Sequence, residues 1–151
     1  MSETQKILAP IDFSEPSIEA AKQAAELASK LGAELCLLHV CPVLLYALGP
    51  DAMPEDPNFE HKLKASLKEK LEQQAAQLER EGLTITTAMH DGNPSLEIAA
   101  YAKQHGFNLI VMATHGRSGL RRLALGSVAE RTVRLSEVPV LTLRVGEADG
   151  A

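Results

Sequence analysis

KILAPIDFSEPSIEAAKQAAELASKLGAELCLLHV, residues 6–40, decides the fold class. It opens with a short apolar run, Lys6–Asp12, that suits a strand covered on both faces. Ser14 can cap the helix that follows, with Pro16 in its first turn. Ile18, Ala21, Ala25 and Ala28 then recur along one helical face, and Gly32 supplies the stop. Glu34–Val40 reads as a second buried strand. Strand, helix and strand in such a short span form a βαβ unit, which makes the two strands parallel.

The same alternation continues to the far end of the chain. Residues 41–58 carry Pro42, Pro50, Pro54 and Pro57 and read as a long Pro-rich loop. A helix is predicted from Phe59 to Arg80, with Leu63, Leu67, Leu71, Ala75 and Leu78 at near-helical spacing. Leu83–His90 is strand three. Asn93-Pro94 opens a further helix that Gly106 closes. Asn108–Thr114 is strand four, Ser127–Leu135 a helix, and Pro139–Val145 strand five. The pattern predicts one α/β domain over residues 1–151: a doubly wound, Rossmann-like, five-stranded parallel sheet of order 3-2-1-4-5 with helices on both faces. Sheets of this kind bind ligands outside the carboxyl ends of their strands, where the order reverses. The switch point lies between strands one and four, so Pro10-Ile11-Asp12 and Met112–Gly116 are delivered to it.

Composition narrows the partners. The chain has 151 residues, 45% hydrophobic and 23% charged, with a net charge of −5. That balance suits a globular protein and argues against a general nucleic-acid binder or an anionic membrane surface as partner. The opening residues lack the basic and long apolar regions of a signal peptide, and no apolar run approaches a bilayer-spanning length. Cys36 and Cys41 fit no zinc or CxxC spacing and read as two reduced, buried thiols of a cytoplasmic protein.

MATHGRSGLRRLALGS, residues 112–127, is the densest cluster of glycine, serine and arginine. The first strand-to-helix turn has no glycine, so the dinucleotide fingerprint is absent, and there is no P-loop. Gly126-Ser127 instead precedes the last helix, where unpaired N–H groups and the positive dipole end favour a phosphate. Arg117, Arg121 and Arg122 add positive charge nearby. The plainer alternative is that Ser127 and Glu130 form a capping box that needs no ligand.

These residues carry a resemblance. MATHGRSGLRRLALGSVAERTV followed by PVLTLRV resembles the C-terminal half of the universal stress protein family. KILAPIDFSEPSIEAAKQAAELASKLGAELCLLHV resembles that family's opening strand, helix and strand. The resemblance implies a five-stranded α/β fold and a homodimer. One branch of the family binds ATP through Gly-x2-Gly-x9-Gly-[Ser/Thr]; another lacks the pattern and binds no nucleotide. Here Gly116 matches the second glycine and Gly126-Ser127 the end of the pattern, while Ala113 replaces the first glycine. By the resemblance, Asp12 would accept from the ribose or adenine, Val40 would offer its backbone to the base, and Pro10 would line the base pocket. Met112 and Ala113 would border the ribose, and Gly116, Arg117, Gly126, Ser127 and Val128 the phosphates.

Three functions follow as alternatives. The chain is an ATP or adenine-nucleotide binder, with or without Mg²⁺, that reports stress or energy state to a regulatory partner. It is a dimeric interaction module that binds no nucleotide. Or it is a slow ATP hydrolase, with Asp12 as the one carboxylate in the crevice. A metal site from His39, His90 and His115 is a weaker fourth, since strands three and four are not neighbours. The last strand, apolar on both faces, is expected to protect its edge by pairing with its copy in a second subunit.

Overall fold

The structure, a computed structural model, describes residues 4–42, 56–115 and 125–145. Within them the chain runs β1 (Lys6–Pro10), α1 (Glu15–Leu31), β2 (Glu34–Cys41), α2 (Phe59–Leu78), β3 (Ile85–Asp91), α3 (Pro94–Gln104), β4 (Leu109–Ala113), α4 (Ser127–Leu135) and β5 (Val140–Leu143). The strands form one sheet of order β3-β2-β1-β4-β5, and every neighbouring pair is parallel. The order expected from the βαβ alternation is therefore the order observed. Most of the Pro-rich loop, the 116–124 segment with Gly116, Arg117, Arg121 and Arg122, and the tail after residue 145 lie outside the described residues.

Local chemistry explains where most helices start and stop. The Ser14 side chain accepts from the Ser17 N–H at the head of α1, and Pro16 sits in the first turn. Gly32, at φ 66°, ends α1 in the left-handed conformation and donates to the Ala28 and Ser29 carbonyls. Asn93 caps α3 through Leu96 N–H in the same way. Ala20, Ala21, Ala24, Ala25 and Ala28 are all buried, so α1 meets the sheet along a stripe of single methyl groups.

Strand alternation divides the core in two. Ile7, Ala9, Leu35, Leu37 and Val111 pack with α1 and with Leu71 and Leu78 of α2. Leu8, Cys36, Leu38, Val40, Ile110 and Met112 pack on the other face with Ile98 and Ala102 of α3 and Ala129 of α4. Leu8, Leu35, Leu37, Leu38 and Ile110 are wholly buried. Each contributes roughly 1.5–3 kcal/mol by leaving water.

Several boundaries differ from those predicted. β1 is shorter at its end, β3 starts two residues later, and β4 and β5 are shorter at both ends, although the Ile11 and Thr114 N–H groups still donate to the Leu38 and Leu143 carbonyls of the neighbouring strands. α2 ends at Leu78, two residues before Arg80. Of the two thiols only Cys36 is buried. Cys41 ends β2 and is half-buried, a correction to the expectation that both lie in the core. No helix among the described residues is long and apolar enough to cross a membrane.

Candidate functional site

A cavity of about 280 Å³ opens at the carboxyl ends of β1, β2 and β4, at the switch point of the sheet. Pro10, Asp12, Val40, Met112, Ala113, Gly126, Ser127 and Val128 all border it. These are the site residues expected from the sequence, apart from Gly116 and Arg117, which lie outside the described residues. Pro10, Leu38, Val40 and Met112 share one parity along their strands, so the sheet turns all four toward the α3–α4 side, while Asp12 stands in the turn two residues past the end of β1. Ala113 is one step out of phase with Met112, in the parity of Val111, and it too borders the cavity. Its backbone φ is not positive, so the position that departs from the glycine pattern makes no conformational demand for glycine.

The turn after β1 holds the carboxylate. Asp12 N–H donates to Ser17 Oγ at 3.2 Å, and the Asp12 carboxylate Oδ1 accepts from the Ser14 N–H at 3.0 Å and from the Ser14 hydroxyl. Ser17 Oγ donates in turn to the Ser14 carbonyl at 2.9 Å. Asp12 thus serves the start of α1 and the cavity wall at once.

The wall formed by the start of α4 corrects one expectation. Ser127 and Glu130 do not form a capping box. Gly126 is the N-cap of α4, Ser127 is its first helical residue, and no side chain caps the helix among the described residues. The reason is tertiary. Gly126 N–H donates to the Thr114 carbonyl at 2.7 Å, which pins residue 126 beside the end of β4. A Cβ at position 126 would stand 3.0 Å from that carbonyl oxygen, tight enough that the backbone would have to shift by a few tenths of an ångström, so the close approach favours glycine. The first turn of α4 keeps its N–H groups and the positive end of its dipole on the cavity.

Thr114 and His115 reach the cavity as the switch-point reading expects, and the wall from α3 is the addition that the sequence does not indicate. α3 contributes Pro94 and Ile98, and β2 and the end of β4 contribute His39, Thr114 and His115. The Asn93-Pro94 start was legible as a cap, but its arrival at the cavity depends on sheet order. The three strand-end histidines do not converge. His39 and His115 reach the cavity, whereas His90 lies beside Glu97 and Tyr101. No group of three or more metal-ligating side chains occurs among the described residues. Cavity walls are mostly apolar, with Asp12 their one carboxylate, and no Lys or Arg occurs among the described lining residues.

Comparison with known proteins places this architecture. The profile described as the universal stress protein family matches residues 3–144. The chain belongs to the universal stress protein family. This universal stress protein is 36% identical over 143 residues to universal stress protein MJ0531 of Methanocaldococcus jannaschii, covering 93% of this chain and 82% of that one. It is 35% identical over 147 residues to universal stress protein YxiE of Bacillus subtilis, covering 92% and 98%. The solved structure of MJ0577, a second Methanocaldococcus jannaschii universal stress protein, superposes with a TM-score of 0.81 at 29% identity, over 97% of this chain and all of that one. A universal stress protein from Archaeoglobus fulgidus, solved in complex with dAMP, shares the fold at a TM-score of 0.64 and 21% identity, over 94% and 98%.

Proposed function

We propose that this universal stress protein binds ATP or another adenine nucleotide in the switch-point cavity and acts, in the cytoplasm, as a stress or energy-state regulator through a partner protein. The observation that carries the reading is the Gly126 cradle. A helix start without a side-chain cap faces a cavity, and a Cβ on the glycine before it would crowd the Thr114 carbonyl. That arrangement suits a phosphate, which takes up the N–H groups and the helix dipole. The apolar wall of Pro10, Val40, Met112, Pro94 and Ile98 suits a planar base, and Asp12 suits ribose hydroxyls. Asp12 already accepts from Ser14, so a Mg²⁺ ion would be carried mainly by the phosphates.

The same reading includes a homodimer through the last strand. β5 pairs with β4 on one side only, and Leu141 on it is 41% exposed. Val133 and Leu135 of the neighbouring α4 are each 46% exposed, which extends an apolar strip beside the open edge.

Calorimetric titration and thermal shift with ATP, AMP and adenosine test the ligand. At a ligand concentration 100 times Kd, binding stabilises by about 2.7 kcal/mol. For a chain of this length that raises Tm by roughly 5–11 °C. Absence of both heat and shift at millimolar ATP overturns the nucleotide reading and leaves a fold used only for interaction.

A further inference from the structure

The turn that presents Asp12 is built on a conformation its residue does not favour. Phe13, between Asp12 and Ser14, has φ 65° and is the one non-glycine residue with positive φ among those described. A side chain in that region is disfavoured by about 5–30-fold relative to the ordinary right-handed conformation. Something must hold it there. The Phe13 ring packs against the α1-side core and stands 4.8 Å, centroid to centroid, from the His39 ring. His39 is itself fixed from β2: a carbonyl can only accept, so its Nδ1–H donates to the Ile11 carbonyl at 2.8 Å. Ile11 N–H donates to the Leu38 carbonyl at 2.8 Å. β1 and the turn are therefore tied to β2 on both sides of the backbone, and the ring of Phe13 is the side chain that spans the gap.

We propose that Phe13, seated on His39, is the positioning residue that keeps the Asp12 carboxylate on the cavity wall, by holding the turn in its left-handed conformation. The proposal rests on the nucleotide reading of the cavity for its effect on ligand. It does not rest on it for the geometry, because the bond from Ser14 N–H to Asp12 Oδ1 exists only while the turn is made.

Two substitutions separate the backbone from the ring. Phe13→Ala removes the anchor and keeps the cost of the left-handed turn. Phe13→Gly removes the anchor and the cost together, since glycine adopts φ > 0 freely. ATP affinity falls about 5–30-fold in Phe13→Ala and stays within about threefold of wild type in Phe13→Gly. Affinity for adenine alone, which has no ribose to meet Asp12, is the same in all three proteins. Should Phe13→Ala not fold, Phe13→Leu takes its place with the same expected order. Equal losses in the alanine and glycine variants, or an unchanged alanine variant, overturn the proposal. Hydrogen exchange at the Ser14 amide gives a readout without ligand: protection is lost in Phe13→Ala and kept in Phe13→Gly. If wild type binds no ATP, the nucleotide reading fails, and Ser14 protection equal in all variants would overturn the positioning role as well.

Discussion

Gly126→Ala is the sharpest probe of the cavity, because its effect is set by space alone. The backbone at 126 has φ −60° and ψ 157°, which alanine adopts without strain. The obstacle is the Thr114 carbonyl. It already accepts the Gly126 N–H at 2.7 Å, and the added methyl would lie 3.0 Å from the same oxygen and 3.4 Å from His115 Cα. Both neighbours are backbone and cannot swing aside as a side chain end would. The head of α4 must therefore retreat from β4 by a few tenths of an ångström, stretching the hydrogen bond. Overpacking of this size costs about 1–3 kcal/mol, of which the weakened hydrogen bond accounts for about 0.5–1.5. A value near 2 kcal/mol lowers Tm by about 4–8 °C. The retreat also moves the first-turn N–H groups off the phosphates, and a hydrogen bond to a charged group is worth enough to predict a loss of ATP affinity of about tenfold or more. Differential scanning fluorimetry and calorimetric titration of wild type and variant measure both effects. A Gly126→Ala protein that melts and binds like wild type refutes the cradle. Ala113→Gly is the matched control. Position 113 is extended strand with no positive φ, so removing its methyl leaves ATP affinity within about twofold while lowering stability by about 0.5–1 kcal/mol, the cost of glycine in a strand.

Asp12→Asn keeps a neutral acceptor for Ser14 but removes the anionic one; ATP affinity falls about tenfold, with adenine binding unchanged, and equal losses for both ligands would assign Asp12 a structural role only. Leu141→Arg places a charge on the open edge of β5, and under the proposed edge-to-edge dimer light scattering reports a dimer for wild type and a monomer for the variant; a dimer that survives the change excludes this edge as the interface. Burial pushes the Cys36 thiol above its ordinary range, with hydrogen bonds from Thr86 and Tyr101 opposing. The raised folded value means that the stability it contributes is full below the unfolded thiol pKa of about 8.5 and is lost as pH rises through the folded one. Tm therefore falls above that pH, part of the slope disappears in Cys36→Ala, and at pH 8 the native protein reacts with a thiol reagent at Cys41 first; rapid reaction at both thiols would contradict the burial of Cys36.

Periodicity carried the fold, because each helix and strand here satisfies its own local rules before any tertiary contact is made. Ser14, Pro16, Gly32 and Asn93-Pro94 mark helix boundaries by backbone chemistry that needs no neighbour. The apolar runs of β1, β2 and β4 can only be buried on both faces, and short helical crossovers leave little choice of strand order. Strand ends were harder. Ile11 and Thr114 each still donate to a neighbouring strand, at the Leu38 and Leu143 carbonyls, yet β1 ends at Pro10 and β4 at Ala113, and Asp12 lies in the turn beyond. α4 starts at Ser127 and ends at Leu135, as its sequence indicates, but its cap is not the expected one. Ser127 and Glu130 have the spacing of a capping box, yet the bond from Gly126 to Thr114, twelve residues away, shifts the cap by one position. Pro94 and Ile98 were missed as cavity residues because only sheet order brings α3 to that edge.

Ala113 shows why a motif written in residue types can mislead. Its two ends each ask for glycine, but the structure gives a different reason at each. At 126 a Cβ meets a backbone carbonyl, so the requirement is steric and local. At 113 the residue is an extended strand member in register with Leu143, and its φ is not positive. Strand parity was available from the sequence alone: Val40 and Met112 lie on one face of the sheet, and Ala113 is one step out of phase with Met112. The backbone at 113 therefore makes no demand for glycine, and the site depends on Gly126 and on the strained turn at Phe13. A substitution in a binding motif is thus weighed by asking what the backbone and the nearest atoms demand: at 126 a carbonyl oxygen crowds any Cβ, whereas at 113 an extended backbone accepts alanine.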